Sequence, residues 1–330
     1  MHASPSTGNP FVSVVVPMYN SQETIESCLD SLVNLNYPKD RYEIIIVDDN
    51  STDESTDIVK SFAYVQENIR LLRQSKSKKG PAAARNLGIR RAKGEILAFT
   101  DSDCIVPQDW LEKISLCFNR HKEYSAIGGT LIACASRKFI TICEGILSDC
   151  IGHKAVIAAP NSAFRKKALI EAGLFDEALV SGEDPDLIWN LEKRGHKISF
   201  LKDLPVVHHY YRSAFRSFVK HHVWYGRGRV LLAERHPEKF SFAERNFLKI
   251  IALLLIFTFV IILFYPFEDF TWAILLLSSF LIFSFGRRFR LMSKISKKYG
   301  FINSIKCSSL FPVIDMANLY GMTKQKLGLK

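Results

Sequence analysis

With 330 residues the chain has room for one sizeable α/β domain and an appendage. A formal net charge of +11 suits an anionic surface, nucleic acid or a polyanionic small substrate such as a nucleotide diphosphate. Seven cysteines (28, 104, 117, 134, 143, 150 and 307), an odd set with no Cys-x-x-Cys pair, argue against a disulfide framework or a zinc site and fit reduced thiols.

Met1 to Pro10 is small and polar, and Val12–Val16 is a short apolar run ended by Pro17. No signal-peptide pattern is present there, so the main domain is expected on the cytoplasmic side. Phe11 to Val16 reads as a strand. Asn20 with Glu23 three residues on has the pattern of a helix start, and Ile25, Cys28, Leu29, Leu32 and Leu35 recur at helical spacing. Glu43 to Val47 is a second strand, ending in Asp48-Asp49-Asn50-Ser51-Thr52-Asp53. Ser51 with Glu54 starts a helix to about Val65; Ile69 to Leu72 is a third strand and Pro81 to Ala92 a third helix. Glu95 to Thr100 is the fourth strand, and Asp101-Ser102-Asp103 follows it.

Strand and helix alternate over about the first hundred residues, which predicts a doubly wound, mostly parallel sheet with ligands off the carboxyl ends of its strands. The acidic clusters stand at those ends. If the chain stays extended past Thr100, Asp101 and Asp103 share a face and converge, and a divalent cation relieves their repulsion. A solvated Asp-Ser-Asp turn is the alternative. No G-x-x-x-x-G-K-[ST] and no strand-borne G-x-G-x-x-G is present, which speaks against a P-loop or a dinucleotide site.

The middle is less regular. Trp110 to Phe118 reads as a helix, Ala126 to Ala133 as a strand interrupted by Gly128-Gly129, and Pro160 to Arg165 as the entry to a short helix ending near Gly173. Gly182 to Asp186 starts an amphipathic helix stopped at Gly195; His196–Leu201 and Val206–His209 read as short strands. Ser213 to Ala233 is a basic helix. Phe247–Phe264 and Phe270–Phe285 are apolar and joined by Tyr265–Asp269, a pattern that predicts a transmembrane hairpin with basic, cytoplasmic flanks. A buried soluble hairpin is the alternative. The tail from Phe301 to Met322 is amphipathic and expected on the membrane or against the hairpin.

The order Val16-Pro17-Met18-Tyr19-Asn20, Val47 to Asp53, Gly80-Pro81-Ala82-Ala83-Ala84-Arg85-Asn86, Asp101-Ser102-Asp103 and Gly182-Glu183-Asp184 resembles the GT-A fold, family 2 inverting glycosyltransferases over roughly residues 11 to 230. The resemblance implies a Rossmann-like GT-A domain over 11–212, after a flexible N-terminus (1–10). A basic interfacial region (213–245), the hairpin (246–286) and an amphipathic tail (287–330) are expected to follow. It also implies a nucleotide-sugar donor (UDP-, GDP- or dTDP-linked), Mg²⁺ or Mn²⁺, and inversion at the anomeric carbon; the apolar hairpin and the basic helix add the expectation of a lipid-linked or membrane-proximal glycan acceptor. The expected localisation is the cell membrane, multi-pass, with the catalytic domain in the cytoplasm.

Donor contacts are implied at Pro17, Tyr19, Asn20, Asp48, Asp49, Arg85, Asp101, Ser102 and Asn161. Asp49 is the choice for the nucleoside, and Arg85, at a helix start, for the diphosphate. Asp103 is the implied metal ligand, with Asp101 on the ribose or completing the shell. His208 is preferred over His209 as a further ligand. Asp184 is the implied base, with Glu183 positioning donor or acceptor; acids capping a helix N-terminus are the competing account. The Gln-x-x-Arg-Trp motif of processive synthases is absent, which argues for transfer of one sugar, and Asp103 is not followed by the Leu-Gln-His-Pro of dolichyl-phosphate sugar synthases. A sugar-phosphate nucleotidyltransferase and a non-catalytic membrane subunit are the rival readings. A nucleic-acid reader fits poorly, because the basic residues surround a carboxylate-rich site.

Overall fold

A computed structural model describes residues 8–75, 77, 80–133, 139–151, 157–209, 214–240, 278 and 289–329. The chain divides into two units: residues 1–134, 152–179 and 183–210 form one, and residues 135–151, 180–182 and 211–330 the other.

The first unit is built on one eight-stranded sheet. Its strands are β1 (Val12–Met18), β2 (Tyr42–Asp48), β3 (Ile69–Arg73), β4 (Ile96–Phe99), β5 (Cys104–Ile105), β6 (Tyr124–Ala133), β7 (Ser162–Arg165) and β8 (Lys197–His208), in the order β3-β2-β1-β4-β7-β6-β8-β5. The first four pair parallel with one another; β7 is antiparallel to both β4 and β6, β6 and β8 are parallel, and β5 closes the edge antiparallel to β8. The sheet is therefore mixed in its second half. The helices are α1 (Ile25–Val33), α2 (Ser55–Val65), α3 (Pro81–Arg91), α4 (Trp110–Arg120), α6 (Lys166–Ala172) and α7 (Glu183–Lys193).

The apolar runs of β1, β2 and β4 are buried on both faces, as parallel strands under helices must be. Val12, Val14 and Val16 of β1, with Ile44 and Ile46 of β2, enter one core with Leu29, Leu32 and Trp110. Val15, Ile45, Val47, Leu97 and Phe99 enter the other, with Ala84, Leu169 and Leu187. This is the period-two alternation of a pleated strand. Ser13 breaks the apolar pattern of β1 for a local reason: its Oγ donates to Glu43 Oε1 (2.8 Å) and accepts from the Gly94 amide (2.8 Å).

Three sequence expectations change here. Asn20 does not cap α1, which starts at Ile25; it takes a left-handed conformation (φ 48°) and serves a loop instead. Ser162–Arg165 is a strand, because pairing with β4 and β6 satisfies its backbone. The stretches read as two short strands, His196–Leu201 and Val206–His209, are joined in one long strand, β8, over Lys197–His208.

Among the described residues, the second unit holds α5 (Phe139–Ile151), α8 (Phe215–Arg235), α9 (Phe289–Tyr299), α10 (Phe301–Ser308) and α11 (Phe311–Lys326). Ile140, Cys143, Phe218, Ile295, Phe311 and Ile314 share its core. Tail and α8 meet at glycines: a Cβ at Gly226 would come 2.2 Å from the Asn318 carbonyl oxygen, and one at Gly321 2.0 Å from that of Val223. The tail therefore packs one side on α8. The multi-pass localisation is also corrected. Among the described residues no helix is long and apolar enough to cross a membrane. The longest, α8, carries Arg216, Lys220, Arg227, Arg229 and Arg235, charges that lipid does not accommodate. The expected hairpin at 246–286 falls outside the described residues.

Candidate active site

The parallel strands β1, β2 and β4 bring three loops to one edge of the first unit. Asn20 Oδ1, at the end of β1, accepts from the Thr52 amide (2.8 Å), while the Asn20 amide donates to Ser51 Oγ (3.0 Å). Asp48 is fully buried; its Oδ1 accepts from the Ser51 amide (2.9 Å), and Arg73 Nε stands 3.6 Å from Oδ2. Asp49 reaches across to the start of α3, its Oδ2 accepting from the Gly80 amide (2.7 Å). Its other oxygen is buried without a hydrogen-bond partner. Such an acceptor is costly unless a donor arrives, and a nucleoside N–H or O–H is one. Pro17 is half-buried in β1 beside Val47, and Tyr19 is exposed.

The Asp-Ser-Asp segment is a turn and not a continuation of β4. The Cys104 amide donates to the Asp101 carbonyl (3.0 Å), an i to i+3 closure that sends the two carboxylates to different partners. Asp101 Oδ1 accepts from Arg85 Nη2 (2.8 Å). Ser102 Oγ lies 2.7 Å from Ser21 Oγ, tying the turn to the β1 loop. Asp103 Oδ1 lies 3.5 Å from His208 Nε2. That meeting follows from register, since β5 pairs antiparallel with β8 and sets Cys104 opposite His208. The His209 amide donates to the Asp103 carbonyl (2.9 Å).

Asp103, Cys104 and His208 each present a ligand atom within 4.8 Å of the others. Asp101 is not part of that group. A carboxylate oxygen with an imidazole nitrogen suits Mn²⁺ or a similar divalent cation. The Cys104 thiol is buried in the core, and burial first, then Asp103 and Asp101, push its pKa well above the ordinary range. As a soft donor it suits Mn²⁺ less well than the oxygen–nitrogen pair does.

Arg85 gathers the remaining acids. Its side chain is 4% exposed, with Nη1 donating to Glu183 Oε1 (2.9 Å) and standing 3.6 Å from Asp184 Oδ1. Glu183 and Asp184 open α7, and Asp184 Oδ2 accepts from the Ala159 amide (3.0 Å). Burial, partly offset by Arg85 and reinforced by Glu183 and Asp101, pushes the Asp184 carboxyl up to about 7. A carboxyl poised there exchanges a proton near neutral pH, as a general base must. Asp184 Oδ1 accepts no hydrogen bond.

Asn161 has a different task from the one the sequence suggests. It is 1% exposed, accepts from Trp110 Nε1 (3.0 Å), and donates to the carbonyls of Thr130 and Leu204 (3.0 and 2.7 Å). Its amide ties α4, β6 and β8 together inside the fold. Two residues to which the sequence assigns no role support Arg85. Phe175 faces the guanidinium at 5.6 Å to the ring centroid, and Asn86 fixes Phe175 by accepting from its amide (3.0 Å) and donating to its carbonyl (2.7 Å). The Arg85-Asn86 pair was the available signal.

The profile of the family described as Glycosyl transferase family 2 matches residues 13–171. The chain is 30% identical over 204 residues to glycosyltransferase AglE of Haloferax volcanii, covering 59% of this chain and 66% of that protein. It is 25% identical over 242 residues to a Methanococcus voltae dolichyl N-acetyl-alpha-D-glucosaminyl phosphate 3-beta-D-2,3-diacetamido-2,3-dideoxy-beta-D-glucuronosyltransferase, covering 68% and 74%. The chain spans about half the length, or less, of several other curated relatives. Among solved structures, the mannosyltransferase PcManGT from Pyrobaculum calidifontis, in complex with GDP-Man and Mn²⁺, superposes with a TM-score of 0.60 at 18% identity, over 96% of this chain and 89% of that one. At that identity the likeness speaks for the fold, a GT-A-like α/β architecture.

Proposed function

Because residues 13–171 form a glycosyl transferase family 2 domain, we propose that this chain moves one sugar, with inversion at the anomeric carbon, from a nucleotide diphosphate-sugar to an acceptor hydroxyl. The observation that carries this reading is the ion network in which the buried Arg85 joins Asp101 to Glu183 and Asp184, with Asp184 poised to ionise near neutral pH. Asp49, with its unmatched buried oxygen, takes the nucleoside. Asp101 and Ser102 hold the donor. Asp184 Oδ1 accepts the proton of the acceptor hydroxyl as that oxygen attacks in line, opposite the departing nucleotide. The base lies within the fold, where solvent competes poorly for the same carbon.

Asp103 and His208 would hold a divalent cation, which when bound supplies positive charge for the departing diphosphate. The GDP-Man and Mn²⁺ bound by PcManGT support a nucleotide-sugar and a metal of this kind. The acceptor is assigned to the lipid-linked or glycan class, a reading supported by the dolichyl-linked substrate in the name of the M. voltae relative.

The test is a panel of UDP-, GDP- and dTDP-sugars with Mg²⁺ or Mn²⁺, scored by nucleoside diphosphate release and by the anomeric configuration of the product. Turnover with inversion is expected for at least one donor. No release from any of them overturns the reading.

A further inference from the structure

The arginine of the Gly80–Asn86 segment is committed to carboxylates. Nη2 donates to Asp101 Oδ1 at 2.8 Å, and Nη1 donates to Glu183 Oε1 at 2.9 Å and lies 3.6 Å from Asp184 Oδ1. These acids come from the turn after β4 and from the start of α7, 16 and 98 residues away in sequence from Arg85 for the two hydrogen-bonded ones. The single positive charge is outnumbered by three acids, so Arg85 is a poor hook for a further anion. Its Nε is buried without a hydrogen-bond partner.

The guanidinium is also fixed from behind. Phe175 covers it, Asn86 clamps the Phe175 backbone, and the Phe175 ring packs edge-on against Phe99 at 5.6 Å between centroids. Phe99 ends β4, two residues before Asp101. The arginine and the acid it holds therefore share one rigid aromatic support, and a planar fork held this way dictates where each bonded oxygen sits.

Resting on the glycosyltransferase reading, we propose that Arg85 is the positioning residue that joins the donor-side carboxylate Asp101 to the acceptor-side pair Glu183 and Asp184. One guanidinium then sets the separation between the group beside the leaving nucleotide and the group that takes the acceptor proton. Lysine does not reproduce this arrangement, because its single nitrogen lacks the fixed spacing of Nη1 and Nη2 that holds the two sets of acids apart.

The experiment uses the full chain with its best donor and Mn²⁺, comparing wild type, Arg85→Lys, Arg85→Gln and Glu183→Gln. Steady-state kinetics are read beside the calorimetric affinity for the matching nucleoside diphosphate. Arg85→Lys is expected to lower kcat by about 100-fold, the scale of an ångström-sized misplacement, with donor KM and nucleotide affinity changed by less than about threefold. The groups facing Asp184 are Arg85 from α3, Glu183 from α7, Asp101 from the β4 turn and the Ala159 amide. The rising limb of the pH–rate profile should accordingly move up in Arg85→Gln and down in Glu183→Gln, shifts that a purely structural role does not produce. Glu183→Gln keeps the arginine and decides the question if the Arg85 variants fail to fold; it should lower kcat by about tenfold at unchanged donor KM.

A tenfold or larger loss of nucleotide affinity in Arg85→Lys with kcat preserved would mean direct contact with the diphosphate and would overturn the inference alone. So would folded variants with the wild-type kcat and an unmoved limb. A wild type that transfers nothing overturns the glycosyltransferase reading, and this inference falls with it.

Discussion

Replacing Asp184 by Asn removes the proton acceptor while keeping the hydrogen bond from the Ala159 amide within reach of the side-chain oxygen. The wild-type profile gives the magnitude. An ordinary aspartate ionises near 3.9, so a base of that kind would leave the rate flat from pH 6 to 8. Burial, acting against Arg85 and assisted by Glu183 and Asp101, pushes Asp184 up to about 7. Its ionised fraction is then about one-tenth at pH 6 and about nine-tenths at pH 8, and kcat/KM should rise roughly tenfold across that interval. Asp184→Asn should lower the plateau by about 100- to 10,000-fold, the usual worth of general-base catalysis, and abolish the limb. Stability carries the same signature with a definite sign. A carboxyl whose folded pKa is raised contributes stability that is whole below its unfolded pKa and disappears as pH rises through the folded value. Asp184→Asn should therefore gain stability relative to wild type between pH 5 and 8, as read by urea midpoints. The assay is nucleoside diphosphate release from pH 5.5 to 9 at constant ionic strength. A flat wild-type profile, or the same limb surviving in Asp184→Asn, refutes the assignment.

Three further outcomes follow from other parts of the first unit. Asp103→Asn and His208→Gln should each weaken Mn²⁺ binding by about tenfold or more in an EPR titration, with the melting temperature of the metal-free protein little changed; unaltered binding in both would remove the metal from these residues. Glu43 is held below the ordinary carboxylate range: burial raises it, and the Lys93 amide, Ser13 and Arg70 together outweigh that effect. Its contribution is present above the ordinary pKa and is lost as pH falls through the lowered one. Glu43→Gln should thus cost about 1–3 kcal/mol at pH 7, with the gap to wild type narrowing in acid; equal denaturation midpoints at pH 7 would contradict this. Gly88→Ala sets two effects against each other. Alanine gains about 1 kcal/mol of helix propensity, but the new Cβ would stand 2.3 Å from Val15 Cγ1, and overpacking costs about 1–3 kcal/mol. A net loss is expected, and Val15→Ala should relieve it in the double variant; a stabilised Gly88→Ala would show that β1 and α3 can move apart.

Much of the frame was legible because the strongest signals are local. β1, β2 and β4 are short apolar runs closed by breakers, and burial on both faces makes the pattern hard to mistake for an amphipathic helix. Acids at the ends of such runs point to the ligand edge of the sheet without any knowledge of the partners. Elements that exist only through pairing were not legible. β5 has two residues and is a strand only because β8 lies beside it, and β7 has four and is held between β4 and β6. Helix α5 was likewise missed, and Asn20 matched the capping template while its side chain serves Thr52, a residue brought close by the parallel pairing of β1 with β2.

Arg85 shows where such reading ends at the site itself. In sequence it is one cation among many between Arg70 and Lys93, and its place near a helix start suggests an anion-binding role. In the fold its anions are already supplied by the protein. One positive charge against Asp101, Glu183 and Asp184 leaves two negative charges if all three acids ionise, a state that burial opposes. Leaving Asp184 partly protonated near neutral pH lowers that burden. The base pKa and the position of the donor-side carboxylate are thus consequences of the same network, formed by residues that no local pattern connects.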